Sequence, residues 1–318
     1  MIVAFREPQL TWDLGRDVAQ LFDYPFMVNA LRAGTIVAVV AAVIGWFMVV
    51  RRQTFAGHTL ALVGFPGAAG ATLIGVSATY GYFAFCVVAA LVIAALPRAQ
   101  RTGYSEESAV IGVVQAFALA CGFLFVTLYA GNLNGINALL FGSFLGITEV
   151  QVATLLVAGL AVVAVLAVVA RPLLFASLDP DVAAARGVPV RLLSVGFLVL
   201  LGVAAAEVSQ VTGTLLVFAL LVLPAATAQA ITLRPAASIA TAVALALGVT
   251  WVGMGISYYS PYPIGFWITS LAFGLFVLAR VGRLVLERRP RRAGPDAPVG
   301  SVAPVGSVGP VVPREVGA

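Results

Sequence analysis

The sequence predicts an all-α, polytopic membrane protein. Of its 318 residues, 61% are hydrophobic and only 10% are charged, and the mean hydropathy is +1.06. Soluble domains carry about 25% charged residues. Several apolar runs also reach the ~20 residues that a helix needs to cross the ~30 Å hydrocarbon core of a bilayer. These observations predict a membrane domain of about nine transmembrane helices over residues 26–289.

Apolar runs and the residues that interrupt them define nine predicted spans. They are residues 26–50, 59–78, 83–96, 109–129, 150–170, 192–206, 215–231, 236–256 and 266–285. Tyr80-Gly81-Tyr82 is predicted as a turn between the second and third spans. Residues 138–147 are apolar but too short to cross, so we expect a re-entrant or interfacial segment. Glu207 to Thr214 is predicted as a polar hinge. Because the regions 131–150 and 205–215 can be interpreted in more than one way, eight or ten spans also fit.

Arginine placement predicts the orientation. All 18 basic residues are arginines, and the Arg51-Arg52 doublet directly follows the first span. Arginine concentrates in cytoplasmic loops, so the N-terminal segment 1–25 is expected outside and the C-terminus inside. Met1 to Asp23 is too polar for a cleavable signal peptide. The tail 290–318 is rich in Pro, Gly and Val and is predicted to be a disordered cytoplasmic extension.

A polar segment at residues 176–191 separates two apolar runs and is predicted to be cytoplasmic. Asp179 before Pro180 favours a helix start, Asp181 suits the first turn, and Gly187 favours a stop. The segment therefore predicts a helix of one or two turns between spans. From these residues alone, an ordinary solvated connector explains it equally well.

The residue inventory argues against an enzyme. The chain contains no lysine, so a phosphate-binding loop that ends in Lys is excluded and any ATP must be hydrolysed on another subunit. The single histidine, His58, has no acid at a spacing that suggests a Ser/His/Asp set. Cys86 and Cys121 lie in apolar runs, which argues against a disulfide or a thiolate metal site. We expect no cofactor on this chain and no nucleic acid partner.

Several residues in or near the spans invite a functional interpretation. A neutral imidazole such as that of His58 binds zinc well and manganese or iron acceptably, although a lone histidine more often makes a structural polar contact. Pro66 predicts a kink, and Pro224 leaves a carbonyl unpaired inside its span; a cavity or a plain kink explains Pro224 equally well. Glu149 and Glu207 are predicted at solvated helix ends near the outer face, which does not favour a proton- or sodium-coupled carrier.

Taken together, these segments resemble the integral-membrane permease subunit of ABC importers for zinc, manganese or iron(II). The resemblance spans residues 24–278. It rests on Tyr24-Pro-Phe-Met27 with Arg32-Ala-Gly34, Val50 to Ala61 with Gly64-Phe-Pro-Gly67, Leu140 to Ile147, Asp179-Pro-Asp-Val-Ala183 to Gly187, Val211-Thr-Gly213, Leu223-Pro-Ala-Ala-Thr-Ala228 and Pro263-Ile-Gly265. In many members the second of these segments has Gly-Asp with His four residues later. Here His58 stands at the Asp position and Leu62 at the His position.

The resemblance implies an ABC importer permease architecture in a bacterial inner membrane. It implies that the segment around Asp179, Pro180, Asp181, Ala183 and Gly187 couples to a separate ATPase subunit that binds the ATP. It also implies a second permease subunit, identical or not, and an extracytoplasmic metal-binding lipoprotein or periplasmic protein that delivers the divalent ion. The pathway would involve His58 as a metal ligand, with Pro66, Pro224 and Thr227 beside it.

Two rival functions remain at this point. One is a permease of the related siderophore or cobalamin importers, against which the shorter chain and the Leu-Pro-Ala-Ala-Thr-Ala segment argue. The other, of a different class, is an ATP-independent membrane carrier or a scaffold membrane protein. A neighbouring ATPase gene and a binding-protein gene would favour the importer.

Overall fold

The computed structural model describes residues 13–95, 103–129, 140–142, 146–214, 216–232 and 234–288. In these residues the chain forms eleven α-helices and no strand. They are α1 (Leu14–Phe22), α2 (Pro25–Val50), α3 (Thr54–Leu73), α4 (Ala78–Ala95), α5 (Gly103–Leu128), α6 (Glu149–Leu178), α7 (Pro180–Ala185), α8 (Val190–Thr212), α9 (Val217–Ile231), α10 (Pro235–Tyr258) and α11 (Ile264–Arg288). The predicted all-α class is confirmed. The predicted tail 290–318 lies outside the described residues.

Seven helices of the described part are long and apolar enough to cross a membrane: α2, α4, α5, α6, α8, α10 and α11. The predicted count of about nine spans is therefore not confirmed. The helices at the other two predicted spans are α3, which is less apolar, and α9, whose 15 residues cover about 22 Å at 1.5 Å per residue. A helix as short as α9 reaches only part of the way across ~30 Å of hydrocarbon.

Helix α2 is the centre of the bundle. It packs against α6, α8, α9 and α10, and 67% of its apolar stretch is buried, compared with 17% in α5. Helices α5 and α6 instead carry large exposed apolar side chains, including Val113, Phe117, Leu160 and Val168. An apolar surface of this kind suits contact with lipid tails.

Helix α3 is shifted by five residues from the predicted second span. It begins at Thr54 instead of residue 59 and ends at Leu73 instead of residue 78. The connection from α2 is only Arg51 to Gln53, because Arg52 adopts a left-handed conformation with φ of 55° that reverses the chain at once. His58 therefore lies one turn inside α3 instead of at its start.

The prediction of a turn at Tyr80-Gly81-Tyr82 was wrong, because these residues belong to the first turn of α4. Gly81 serves helix packing there. A Cβ atom at Gly81 would collide with the carbonyl oxygen of Gly67 on α3, and a Cβ at Gly67 would collide with that of Gly81. Two glycines facing each other let the backbones of α3 and α4 approach closely, as is common in membrane bundles.

The polar hinge predicted at Glu207 to Thr214 was also misplaced. Helix α8 continues through Thr212 and stops at Gly213, where φ is 75°. Ser209 and Thr212 donate hydrogen bonds to the carbonyl oxygens of Ala205 and Val208, four residues earlier. A Ser or Thr hydroxyl that bonds the carbonyl four residues earlier has its hydrogen-bond partner within the same helix. The polar residues therefore do not terminate α8.

Helix α6 likewise continues past the predicted end of its span, with Pro172 inside it.

Only parts of the predicted re-entrant segment 138–147 are described. The described part 140–142 packs against the end of α8. A Cβ atom at Gly142 would collide with the backbone next to Gly213, and a Cβ atom at Gly213 would collide with the backbone of 140–142. The N-terminal segment contains α1, which is held by a 2.8 Å hydrogen bond from the Tyr259 hydroxyl to the Asp17 carbonyl oxygen.

Candidate functional site

The polar segment between α6 and α8 folds as the predicted short helix, α7. The carboxylate of Asp179 accepts a hydrogen bond from the Val182 amide at 3.0 Å and so caps the N-terminus, while Pro180 occupies the first helical position. At the other end, the Val188 amide donates to the Ala183 carbonyl oxygen. Gly187 adopts φ of 80° there, which is the common helix stop that uses a left-handed glycine.

One side of α7 contacts the bundle and the rest is exposed. Ala183 is fully buried, whereas Asp179 to Val182 and Ala184 to Gly187 are exposed. The small side chain at position 183 allows α7 to lie close against the bundle. The segment Asp179–Gly187, called the α7 segment below, thus presents a compact polar surface that another protein could bind.

Arg51 connects the base of the α7 segment to the end of α2. Its Nη1 atom donates to the Ser177 hydroxyl at the end of α6, and its Nη2 atom donates to the Ser194 hydroxyl at the start of α8, each at 2.9 Å. Its Nε atom donates to Gln53 Oε1 at 3.3 Å. The guanidinium carbon also lies 5.3 Å from the centroid of the Phe197 ring.

His58 lies between α3 and α9. Its ring packs edge-on against Phe218 in the first turn of α9, with centroids 5.0 Å apart. The Nδ1 atom is buried and has no hydrogen-bond partner among the residues that the structure describes. Within that same part of the chain, no three His, Cys, Asp or Glu side chains are grouped so that they could hold a metal ion. His58 thus has a free nitrogen but does not belong to a group of three such side chains among the described residues.

The two helix-interior prolines lie on the same pair of elements. Pro66 is buried in α3, and Pro224 is buried in α9. Thr227, 2% exposed, donates a 2.6 Å hydrogen bond to the Leu223 carbonyl oxygen. The carbonyl oxygen that Pro224 leaves without an amide donor is that of Leu220, four residues earlier, so the Thr227 hydroxyl bonds a neighbouring carbonyl and not that one.

The predicted site residues therefore fall into two groups. His58, Pro66, Pro224 and Thr227 lie on α3 and α9, which contact each other. Asp179, Pro180, Asp181, Ala183 and Gly187 form the separate α7 segment. Arg51 is the residue that sequence reasoning missed between them, because an arginine after a span is expected merely to face the cytoplasm.

Glu207 was also misjudged. It is fully buried in α8 instead of lying at a solvated helix end. Its Oε1 atom lies beside Gly159 of α6, where an added Cβ would come within 2.9 Å of it and of Val40 on α2. Neither carboxyl oxygen has a hydrogen-bond partner in the described ranges. An acidic residue within a long apolar run is a sequence signal for a buried polar group, and Glu207 shows it. The interpretation of residues 207–214 as a hinge placed Glu207 at a solvated helix end instead.

A large cavity lies elsewhere, between α1, α2 and α10. Its volume is about 1040 Å³, and its lining includes Asp17, Arg32, Thr35, Trp251 and Tyr259. The Trp251 indole donates to the Thr35 hydroxyl at 3.0 Å along this wall. None of the predicted site residues lines this cavity, so it is not part of the α3–α9 group.

The described residues thus form a multi-span helical bundle that exposes a short capped helix between two of its spans. Comparison with known proteins identifies the family to which this bundle belongs. The chain belongs to the ABC 3 transport family, which it matches over residues 23–283.

Relatives of this chain are named as metal transport proteins. It is 30% identical over 262 residues to the manganese transport system membrane protein MntC of Halalkalibacterium halodurans, with 82% of this chain and 88% of the relative covered. It is 28% identical to the chelated iron transport system membrane protein YfeC of Yersinia pestis, with coverages of 82% and 87%.

A solved structure shares the fold. The chain superimposes on PsaBC from Streptococcus pneumoniae, determined in complex with Fab, with a TM-score of 0.75 and 24% identity. The match covers 83% of this chain and 94% of the other. The resemblance to a metal-importer permease is thereby confirmed at the level of family and fold.

Proposed function

We propose that this chain is the membrane permease subunit of an ABC importer that carries a divalent first-row transition metal into a bacterial cytoplasm, with manganese the first candidate. The observation that carries the proposal is the family match over residues 23–283 together with the 30% identity to a manganese transport membrane protein. Zinc and iron(II) are the other cargoes to test, since a relative of similar identity is named for chelated iron.

Energy comes from a separate ATPase subunit in this proposal. The chain has no lysine for a phosphate-binding loop of its own. The α7 segment supplies the docking surface, because it is exposed everywhere except at Ala183. Closure of the ATPase pair on ATP would displace α7 and rock the bundle between outward-open and inward-open states. The arginines near the span ends favour a cytoplasmic position for α7 and an outer position for the N-terminus.

The cargo ion passes His58 in this proposal. The unpartnered Nδ1 atom offers a neutral nitrogen ligand, which manganese, iron and zinc accept. Among the described residues no three His, Cys, Asp or Glu side chains are grouped around the ion's path, so in this proposal further ligands come from a second permease subunit placed against α3 and α9. An extracytoplasmic metal-binding protein delivers the ion to the outer side.

Uptake of labelled manganese, zinc and iron in cells that lack this gene and then regain it tests the proposal. We expect the gene to restore uptake of one of these ions, and His58→Ala to reduce that uptake by about tenfold or more at equal protein level. The double variant His58→Asp with Leu62→His, which recreates the pattern common in the family, should retain transport. This pair separates the loss of a ligand from damage to α3.

Failure to restore uptake of any of the three ions would contradict the proposal. Restored uptake of a chelated metal or cobalamin alone would favour the siderophore-type importer. Restored uptake that persists when the partner ATPase is inactivated would favour an ATP-independent carrier.

A further inference from the structure

Arg51 links the ends of two helices, α2 and α6, to the starts of two others, α3 and α8. It is the residue that follows the last turn of α2. Its guanidinium reaches Ser177 near the end of α6 and Ser194 in the first turns of α8, each at 2.9 Å, and Gln53 just before α3 at 3.3 Å. These residues with Phe197 are called the Arg51 cluster. A planar guanidinium with five N–H donors can make several directed bonds at once, which a lysine ammonium cannot do in the same geometry.

The cluster is partly enclosed. Ser194 is 8% exposed and Phe197 is 1% exposed, and the Phe197 ring lies 5.3 Å from the guanidinium carbon. A cation over an aromatic face gains more when water is excluded. Hydrogen bonds with a charged donor are also stronger than neutral ones. Arg51, Gln53 and Ser177 are partly buried, so the cluster is a partly enclosed contact and not an exposed surface pair.

The two serines of the cluster lie on either side of the α7 segment in the sequence. Ser177 and Ser194 flank the α7 segment on its two sides, so Arg51 fastens both of its connections to the end of α2. Gln53 is the N-cap residue of α3, and His58 lies five residues further along the chain within that helix. A displacement of α7 would consequently reach α2 and α3 through one side chain.

We propose that Arg51 is the positioning residue that transmits movement of the α7 segment to α2 and α3, and hence to His58. This inference rests on the proposed function, since it assigns a mechanical role within an ATP-driven cycle. Arg51 does not contact the cargo; it acts by keeping the α7 segment and the start of α3 in one moving unit.

The chain offers a matched control in the adjacent arginine. Arg52 is exposed, and its side chain makes no hydrogen bond or ion pair with the described part of the chain. Arg51→Gln and Arg52→Gln remove the same charge from neighbouring positions. A third variant, Ser177→Ala with Ser194→Ala, removes the two acceptors and leaves Arg51 in place.

The first measurement is hydrogen–deuterium exchange on the purified permease, which requires no transport. Arg51→Gln should increase amide exchange both in residues 177–194 and in the first turns of α3, because opening of local structure raises exchange. The double serine variant should do the same, and Arg52→Gln should match the wild type. Unchanged exchange in Arg51→Gln would overturn the proposal.

The second measurement compares manganese uptake with ATP hydrolysis in proteoliposomes that contain the permease and its ATPase subunit. We expect Arg51→Gln to retain hydrolysis but to lower uptake per ATP by between about twofold and thirtyfold, the usual range for residues that carry coupling. An equal fall in both rates would show that Arg51 only supports the fold, and no fall in either rate would show that coupling does not use it; either result would overturn the proposal. If wild-type permease took up no metal, the proposed function would fail, while the exchange data would still decide whether Arg51 joins α7 to α3.

Discussion

Glu207 illustrates at the scale of a single residue how this bundle treats polar groups. Its carboxyl group is enclosed by apolar residues of α2 and by Gly159 of α6, and no hydrogen-bond partner for it lies within the described residues. A carboxylate without a partner is costly to bury, far more so than a neutral group of the same shape. The charge of Glu207 is therefore not what stabilises this packing.

We therefore predict that Glu207→Gln is tolerated. Glutamine has nearly the same shape and no charge, so we expect the melting temperature to stay within about 3 °C of the wild type and metal uptake to persist. Thermal unfolding in detergent and the uptake assay check both expectations. Normal stability with lost uptake would instead show that transport uses the ionised carboxylate.

Ala183 is the buried residue of the α7 segment, and its methyl group sets the distance between α7 and the bundle. The next residue, Ala184, is exposed on the same short helix. The two alanines thus differ in burial and hardly at all in helical context.

We expect Ala183→Leu to weaken binding of the ATPase subunit about fivefold or more, because overpacking a closed contact costs about 1–3 kcal/mol and moves α7. Ala184→Leu is the matched control and should bind almost normally. Titration of the ATPase onto immobilised permease gives both affinities. Equal behaviour of the two variants would place the docking surface elsewhere.

At the scale of elements, the close contact of α3 with α4 depends on Gly67 and Gly81. Each glycine faces the backbone carbonyl of the other. A collision with backbone cannot be relieved by rotating a side chain. Helix α3 is the element that carries His58 and Pro66, so its distance from α4 matters for the α3–α9 group.

We predict that Gly81→Ala lowers the melting temperature by roughly 2–12 °C, the range for overpacking of about 1–3 kcal/mol in a protein of this size. Gly112→Ala on α5 is the control, because no atom outside its own helix lies within 4 Å of the new Cβ. Alanine also favours helix more than glycine does, so the control should keep or raise stability. A neutral Gly81→Ala would mean that α3 and α4 are not in this contact in the membrane.

At the scale of the whole molecule, side-chain hydrogen bonds join helices that are distant in the sequence around α2. The Trp46 indole donates to the Ser238 hydroxyl of α10 at 2.9 Å, and the Gln229 amide of α9 donates to the Trp46 carbonyl oxygen at 3.1 Å. Together with the Arg51 cluster, these bonds attach five other helices to the end of α2, namely α3, α6, α8, α9 and α10. The central position of α2 thus has a polar as well as an apolar basis.

The sequence predicts that the tail 290–318 is not needed for transport, because it is rich in Pro, Gly and Val and shows no helical periodicity. We expect a chain shortened by residues 290–318 to support metal uptake within about twofold of the full chain. Uptake measurements at matched protein level test this. A large loss of uptake with an intact bundle would assign the tail a role in binding a partner.

The sequence by itself determined the features that depend on local composition. Long apolar runs predict membrane helices because the bilayer excludes unpaired backbone groups. Asp179, Pro180 and Gly187 predict the ends of α7 because capping and left-handed stops involve only neighbouring residues. Both predictions are confirmed, whereas the number of spans is not.

Only the tertiary structure decided which residues contact each other between helices. Arg51 meets residues 126 and 143 positions away, Gly81 packs on Gly67 instead of forming a turn, and Glu207 is buried because α2 and α6 cover it. No local pattern distinguishes these residues from solvated arginines, turn glycines or helix-end acids. Their roles follow from which helix faces lie against each other, and that is set by the packing of the whole bundle.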